Sequence, residues 1–277
     1  MSHPTRPVCV LGGRGFVGSH LVRRLRAAGM EPLIPEKGEC LVGRKLGLVY
    51  HCAGLTADFR SRPFDTVDAH VGLVQSLLRS ADFEGLVYLS STRVYLGAED
   101  TAEMSSLSVN PTRPDDLYNL SKLMGESLCL SAGRSGVRVV RLSNVLGPGM
   151  PEVNFVASVI RAALEGGVVH LRSALGSAKD YLGIDDVVDM ILAIGERGTG
   201  ALYNVASGVN TTHRELLDLV VRETGCTVDV APDAVDQVFP PVRIDRIRDE
   251  FGFTPRPLHA VLPPLLRHFR ERGGAVQ

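Results

Sequence analysis

Tyr118 and Lys122 stand four positions apart in the segment 118–122 and form the residue pair with the clearest chemical potential. On a helix, residues four apart share one face, where the lysine ammonium lowers the pKa of the phenol from about 10. Ser91 directly follows an apolar run, 86–90, and its hydroxyl can hydrogen-bond a reacting oxygen. Together the three residues indicate general acid–base chemistry, whereas the Tyr–Lys pair alone would equally fit an ordinary surface helix.

A glycine-rich loop precedes these residues in the chain. Gly12, Gly15 and Gly18 are spaced three apart, directly after the apolar run 8–11 and at the start of a helical pattern. Gly12 permits a tight turn, Gly15 lets backbone N–H groups approach a pyrophosphate, and Gly18 lets the helix pack against the strand. In this context the spacing predicts a dinucleotide site. The loop residues expected to contact the dinucleotide are Gly12, Arg14, Gly15, Phe16, Val17 and Gly18.

Two features bear on which dinucleotide binds. Glu36 lies 18 residues after Gly18, near the position from which an acid bonds the ribose 2′-hydroxyl of NAD. Arg14 in the loop and Lys37 beside Glu36 would instead hold the 2′-phosphate of NADP. The sequence therefore favours NAD slightly and leaves NADP open.

The elements that position these residues alternate between apolar runs and helical patterns. The predicted strands are 8–11, 46–52, 86–90 and 138–142, and the predicted helices are 16–28, 64–81 and 117–132. The segment 32–35 is a poor strand because it holds two prolines. This alternation predicts βαβ units, and therefore an α/β fold with a Rossmann-type doubly wound parallel sheet.

The pattern changes after the break at 147–151. Further helices are predicted at 154–165, 185–196 and 212–224, and further strands at 168–171 and 201–205; Asn210 and Thr211 supply N-cap chemistry for the last helix, and Asp185 and Asp186 for the one they begin. We expect 1–150 to form a dinucleotide-binding domain, with 185–210 packing back onto it. We expect 151–277 to form mainly a smaller mixed substrate-binding lobe.

Composition narrows the class of partners. The net charge of -1, with 44% hydrophobic and 22% charged residues, gives no basic excess for nucleic acid or an anionic membrane. Five widely spaced cysteines and eight histidines without ligand spacing indicate neither a disulfide framework nor a metal site. No apolar run approaches the ~20 residues that span a bilayer, and no signal peptide is recognisable, so a cytoplasmic protein is expected.

Over nearly its whole length the sequence resembles the extended short-chain dehydrogenases/reductases that act as nucleotide-sugar epimerases and dehydratases. The matching segments are GGRGFVGS at 12–19, HCAGL at 51–55, SSTRVY at 90–95, Tyr118 with Lys122, RLSNVLGPG at 141–149, and KDY at 179–181 with DDV at 185–187. The resemblance places the catalytic hydroxyl on Ser91. It also adds Ala53, Gly54, Tyr118 and Lys122 to the expected cofactor contacts.

The resemblance implies hydride exchange between a sugar carbinol and a nicotinamide, by an epimerase or a ketoreductase. Tyr118 would carry the proton, Lys122 would bond the nicotinamide ribose, and Ser91 would orient the substrate oxygen. The residues expected to contact a nucleotide-sugar substrate are Ser91, Thr92, Asn144, Asn154 and Arg243. The alternatives are a reductase of a carbonyl substrate without a nucleotide and a non-catalytic cofactor-binding sensor. A homodimer through the helices 64–81 and 117–132 is also implied.

Two departures from the family concern its sheet and its chemistry. The stretch 30–51 is shorter than usual, so a strand and a helix are expected to be missing and the adenine side to be more open. Thr92 and Arg93 follow Ser91 where dehydratases of the family carry an Asp-Glu pair. Elimination of water by that route therefore lacks its acid.

Other departures concern the substrate. The stretch 233–239 holds no arginine to clamp a substrate diphosphate, a role for which Arg243 or Arg172 would have to substitute. Gly183 stands where a histidine usually precedes the Asp pair, and His70 stands where an asparagine is common. The nucleotide portion of the substrate therefore stays open.

Overall fold

The computed structural model describes residues 6–56 and 58–273. The strands are β1 (Val8–Leu11), β2 (Leu48–His51), β3 (Gly85–Ser91), β4 (Val137–Leu142), β5 (Asn144–Leu146), β6 (Val168–Leu171), β7 (Ala178–Gly183), β8 (Leu202–Val205), β9 (Asn210–Thr212) and β10 (Thr227–Val230). The α-helices are α1 (Phe16–Ala27), α2 (Pro63–Val67), α3 (Leu73–Ser80), α4 (Asp116–Ser131), α5 (Phe155–Glu165), α6 (Ile184–Arg197), α7 (His213–Thr224), α8 (Asp245–Phe251) and α9 (Leu258–Gly273). Across these described ranges, none of the helices combines the length and the apolar character that a bilayer crossing requires.

A five-stranded parallel sheet in the order β1-β2-β3-β4-β8 forms the centre of the protein. Its strands are apolar because both faces are covered. On one face the sheet packs against α1 and α6, and on the other against α3 and α4. The fold predicted from the alternating pattern, a Rossmann-type parallel α/β sheet, is confirmed.

The edge of the sheet next to β1 is reduced to a single residue. Leu33 pairs with Cys9 as an isolated bridge, and its backbone exchanges hydrogen bonds of 2.8 Å with Val8 and Val10. Pro32 and Pro35 flank it and cannot donate to a ladder, which explains why no longer strand forms. Within 28–47, all of which the structure describes, no helix follows. The expected shortening of this region is therefore present.

The predicted helix 64–81 is not a uniform α-helix. A π-helical turn, Asp68–Gly72, joins α2 to α3. Such a turn inserts one extra residue and is frequent at functional sites. Hydrophobic periodicity does not resolve a local change of this kind.

A second apolar cluster fills the smaller lobe, where α5, α7 and α9 pack together beside the strand pair β6–β10. Two expected caps here are wrong. Thr212, rather than Asn210 or Thr211, caps α7 through a capping box with Glu215. Gly183 is the N-cap of α6, and Asp185 and Asp186 lie in the first turn of that helix.

The Asp186 carboxylate accepts hydrogen bonds from Arg256 instead of capping its own helix.

The elements α6 and β8 come after the first elements of the smaller lobe in the chain. However, β8 is a strand of the main sheet, and α6 packs against that sheet. The division into domains 1–150 and 151–277 stays a prediction.

Candidate active site

The glycine loop between β1 and α1 is held in a form that only glycine permits at two positions. Gly12 has a φ of 73°, and a Cβ there would lie 2.7 Å from the Ala53 nitrogen. A Cβ on Gly18 would overlap the Gly12 carbonyl oxygen and lie 2.9 Å from the Gly13 Cα. The loop therefore packs closely against the segment after β2 and against the first turn of α1.

The first turn of α1 is open to an anion. Its N-cap, Gly15, has no side chain to bond the free N–H groups, and no acidic residue lies in the turn. These N–H groups and the positive end of the helix dipole suit a phosphate group. A tight loop without side chains, next to an uncapped helix N-terminus, fits the pyrophosphate of a dinucleotide.

Arg14 and Glu36 meet at the exposed rim of this loop. Arg14 Nη1 and Nη2 donate to the two Glu36 carboxylate oxygens at 2.8 and 2.6 Å. Lys37 lies apart from Arg14 and pairs with Asp65 at 3.4 Å. The acid and the base expected to choose between NAD and NADP thus form one bidentate pair.

The structure brings Ser91, Tyr118 and Lys122 together at the carboxyl end of β3. Ser91 ends the strand, and its Oγ accepts the backbone N–H of Arg93 at 3.2 Å. Tyr118 and Lys122 project from one face of α4, and both are buried. Lys122 Nζ donates to the Leu89 carbonyl oxygen at 2.9 Å and lies 6.0 Å from the centre of the Tyr118 ring.

Burial controls the proton affinities of this group. It raises the pKa of the Tyr118 phenol, against the opposing effects of the Ser91 and Thr56 hydroxyls and the Arg93 charge. It lowers the pKa of Lys122 from 10.5 to about 7, against the opposing charge of Glu126. The expected lowering of the Tyr118 pKa is therefore wrong for the protein chain by itself, because desolvation of the phenolate dominates.

A buried ion pair contacts the end of β3. Arg141 Nη2 donates to Glu126 Oε2 at 2.6 Å, and the two side chains are 4% and 3% exposed. The Ser90 hydroxyl also donates to this carboxylate, and Arg141 Nη1 donates to the Tyr95 hydroxyl at 2.7 Å. Because Ser90 precedes Ser91 and Glu126 lies one turn after Lys122, the network connects two of the elements that carry the candidate residues.

The expected substrate residues are distributed differently. Thr92 begins a 3-10 turn, Thr92–Tyr95, directly after Ser91. Asn144 donates from Nδ2 to the Asp180 carbonyl oxygen at 2.8 Å, and Asn154 is the N-cap of α5. Arg243 is exposed and pairs with Asp245 at 2.8 Å. The structure groups only Thr92 directly with the acid–base residues, and the other three side chains have protein partners.

Arg93 and Lys179 are two further cations of this region, and the sequence predicted no ligand role for either of them. Arg93 Cζ lies 5.8 Å from the Tyr118 ring centre. Burial is the main cause that lowers the pKa of Lys179, and the charge of Arg93 lowers it further. Lys179 Nζ lies 5.8 Å from the ring centres of both Phe155 and Phe239. Within the described ranges neither cation forms an ion pair. The sequence signals were the position of Arg93 two residues after Ser91 and the KDY segment at 179–181, and neither indicated a binding role.

A parallel sheet, a glycine loop and a Ser–Tyr–Lys group in which Tyr118 and Lys122 are buried and Ser91 is half-buried are features of the short-chain dehydrogenase/reductase type of enzyme. Residues 39–206 match the family described as the NAD dependent epimerase/dehydratase family. The chain belongs to this family, whose members of the extended type are NAD(P)-dependent epimerases, reductases and dehydratases.

Several known proteins are similar over most of this chain. The GDP-6-deoxy-D-mannose reductase of Pseudomonas aeruginosa is 32% identical over 271 residues, which cover 87% of this chain and 86% of that protein. The dTDP-6-deoxy-L-talose 4-dehydrogenase (NAD(P)(+)) of Kitasatospora kifunensis is 28% identical, over 90% of this chain and 91% of that protein. A structure of RMD from Pseudomonas aeruginosa complexed with NADPH superposes with a TM-score of 0.78 at 27% identity, covering 97% of this chain and all of that one (100%).

Proposed function

We propose that the protein is an NAD(P)H-dependent ketoreductase that reduces the keto group of a nucleotide-linked deoxy sugar. The observation that carries this proposal is a buried Tyr118 phenol beside the Ser91 and Thr56 hydroxyls, with Lys122 on the same helix face. The similar reductase and 4-dehydrogenase, which are named for 6-deoxy sugar nucleotides, support the substrate class.

The protonated phenol suits the direction of reduction. Because burial raises the Tyr118 pKa, the hydroxyl keeps its proton at neutral pH and can donate it to a carbonyl oxygen. Ser91 holds that oxygen by a hydrogen bond, and Lys122, when charged, stabilises the tyrosinate that remains. A bound nicotinamide dinucleotide supplies the hydride. The neutral alcohol is formed as Tyr118 gives up its proton.

Two features favour reduction over dehydration. Thr92 and Arg93 occupy the positions that follow Ser91, so no carboxylic acid is available there to protonate a leaving hydroxyl. Arg93 instead brings a positive charge to the rim of the site. An epimerase needs the same Ser91, Tyr118 and Lys122, and the two activities differ in whether the cofactor is consumed.

Arg93 and Lys179 are the proposed ligands of the substrate diphosphate. Both are cations without an acidic partner in the described residues, and both face aromatic rings. An anion bound by both cations would favour the charged form of Lys179, which burial and the Arg93 charge disfavour. Phe155 and Phe239 offer apolar surface for the base or the sugar. This pair would take the place of the arginine that the stretch 233–239 lacks.

NAD is the proposed cofactor over NADP. The Glu36 carboxylate is exposed and paired with Arg14 of the glycine loop, and each of its oxygens can still accept a hydrogen bond from a ribose hydroxyl, whereas its charge would repel a 2′-phosphate. Replacement of Glu36 by Gln is expected to lower the ratio of kcat/KM with NADH to that with NADPH. A ratio that the replacement leaves unchanged would contradict this role for Glu36.

A homodimer is proposed through α2–α3 and α4. Phe64 and Met124 on these helices are 85% and 54% exposed, an apolar surface that pairing of two copies would cover. Light scattering of the purified protein is expected to give twice the chain mass of 29.8 kDa. A monomer mass at micromolar concentration would reject the dimer.

The function is tested by incubating the protein with NADH or NADPH and a panel of GDP- and dTDP-linked 4-keto-6-deoxy sugars. Stoichiometric loss of reduced cofactor and formation of the alcohol, identified by mass spectrometry, are expected. An isomerised sugar formed without net loss of cofactor would identify an epimerase instead. Neither product with any keto sugar in the panel would contradict the proposal.

A further inference from the structure

Phe59 is a buried aromatic residue next to the candidate acid that the chemistry described above does not use. It lies in the turn between β2 and α2, and only 3% of its surface is exposed. Its ring centre is 5.5 Å from that of Tyr118, with 53° between the two ring planes. Although it is buried, Phe59 belongs to none of the apolar clusters that form the core. Its ring is therefore part of the candidate site.

Arg93 lies close to both of these rings. Its Cζ is 5.5 Å from the centre of the Phe59 ring and 5.8 Å from that of the Tyr118 ring, which is within the range of cation–π attraction. Its Nε is buried and has no hydrogen-bond partner in the described residues. The attraction of two aromatic rings therefore takes the place of a hydrogen bond at this nitrogen.

The turn that carries Phe59 is connected to the start of α4. Arg60 Nε and Nη2 donate to the two Asp115 carboxylate oxygens at 2.5 and 2.7 Å. Asp115 is the N-cap residue of α4 and lies one turn before Tyr118. The Arg60 Cζ also lies 4.9 Å from the centre of the Phe59 ring. These contacts fix the position of Phe59 relative to Tyr118.

We propose that Phe59 is a positioning residue for Arg93, whose guanidinium it holds beside the Tyr118 ring for contact with the substrate diphosphate. The face of an aromatic ring attracts a cation without neutralising it. Unlike a carboxylate, Phe59 therefore leaves the Arg93 charge available to an anionic ligand. The binding role of Arg93 rests on the proposed function, whereas its contact with Phe59 does not.

Two replacements of Phe59 separate its aromatic ring from its apolar volume. Phe59→Leu keeps an apolar side chain and removes the ring, whereas Phe59→Tyr keeps the ring. Phe83→Leu is the matched control, because Phe83 is also buried beside an arginine, Arg134, but lies at the opposite end of β3 from Ser91. Urea unfolding confirms that each variant is folded before its affinity is measured.

The first readout is the affinity of the full chain for GDP and for dTDP, measured by isothermal titration calorimetry with the cofactor site saturated by NAD. The dissociation constant of the tighter nucleotide is expected to rise about tenfold in Phe59→Leu, because the ligand must then order a mobile guanidinium. It is expected to stay within about twofold of the wild-type value in Phe59→Tyr and in Phe83→Leu. The affinity for NAD is expected to be the same in all four proteins.

A double-mutant cycle tests whether Phe59 acts through Arg93. Arg93→Met alone is expected to weaken nucleotide binding about tenfold or more. Adding Phe59→Leu to Arg93→Met is expected to cause no further loss, because the guanidinium that Phe59 holds is already absent. Additive losses in the double variant would overturn the proposal. An unchanged affinity in Phe59→Leu, or an equal loss in Phe59→Leu and Phe59→Tyr, would also overturn it.

The second readout is the kinetics of ketone reduction. In Phe59→Leu the KM for the keto sugar nucleotide is expected to rise by the same factor as the dissociation constant, with a much smaller change in kcat. If the wild-type protein bound GDP or dTDP but reduced no keto sugar, the proposed function would fail, and the cycle would still decide the role of Phe59. If it reduced a keto sugar but the Arg93→Met variant bound both nucleotides normally, the role of Phe59 would fail and the reductase function would stand.

Discussion

Replacement of Lys122 by methionine is expected to stabilise the cofactor-free protein at neutral pH. Burial holds the folded pKa of Lys122 at about 7, below its ordinary 10.5. Between pH 7 and pH 10.5, Lys122 is therefore protonated in the unfolded chain and mostly deprotonated in the folded chain. The cost of burying the charged lysine therefore lowers the free energy of unfolding most strongly below pH 7. This free energy rises again as the pH increases towards 10.5.

The size of the effect follows from the same two values. At pH 7 the unfavourable contribution of Lys122 is about 4 kcal/mol, and it falls by about 1.5 kcal/mol by pH 8.5. Methionine fills a similar volume without a charge, but the Leu89 carbonyl loses its hydrogen bond, at a cost of about 1–3 kcal/mol. The net gain expected for Lys122→Met is therefore about 1–3 kcal/mol at pH 7.

Urea unfolding of wild type and variant at pH 7.0 and pH 8.5 measures this difference. The advantage of Lys122→Met over wild type is expected to shrink by about 1.5 kcal/mol across the interval. Lys45→Met is the matched control, because Lys45 is exposed, and it is expected to follow wild type at both pH values. If the difference in free energy of unfolding between Lys122→Met and wild type were the same at pH 7.0 and pH 8.5, the lowered pKa of Lys122 in the folded protein would be refuted.

Three further replacements have defined outcomes. Gly18→Ala, whose Cβ would overlap the Gly12 carbonyl, is expected to weaken NAD(P)H binding about tenfold or more in fluorescence titrations; unchanged affinity would contradict the packed loop. Lys179→Met is expected to raise KM for the nucleotide sugar about tenfold with little change in cofactor affinity, and an unchanged KM would remove Lys179 from the substrate site. Glu126→Gln is expected to lower the free energy of unfolding by about 3 kcal/mol or more, because it leaves Arg141 charged and buried without a counterion. Addition of Arg141→Met should recover most of that loss, and an additive double variant would show that the pair is not coupled.

The sheet and its flanking helices could be predicted because each buried parallel strand is an uninterrupted apolar run. The predicted strand 8–11 agrees with β1, and the predicted helix 117–132 differs from α4 by one residue at each end. Short strands with mixed burial, such as β5 and β9, have no such signal. Their pairing with β7 depends on contacts that are distant in sequence.

The acid–base group could be predicted from spacing and order, because Ser91 follows a strand and Tyr118 and Lys122 share a helix face. The proton affinities could not, since the expected fall in the Tyr118 pKa ignored the desolvation that the fold imposes. Lys179, Phe155 and Phe239 come from β7, α5 and a loop after β10. No periodicity connects such residues, and only the folded chain brings them into one place.

The central claim, that Tyr118 carries the proton in a hydride-transfer reaction, is tested most directly by isotope transfer. Wild type and Tyr118→Phe are mixed with reduced cofactor deuterated at C4 of the nicotinamide and with a nucleotide-linked keto sugar. Mass spectrometry then follows deuterium into the sugar. Deuterium transfer is expected in wild type and about 100-fold or more slower in Tyr118→Phe, with cofactor affinity unchanged. Equal rates in the two proteins would contradict the assignment of Tyr118 as the acid.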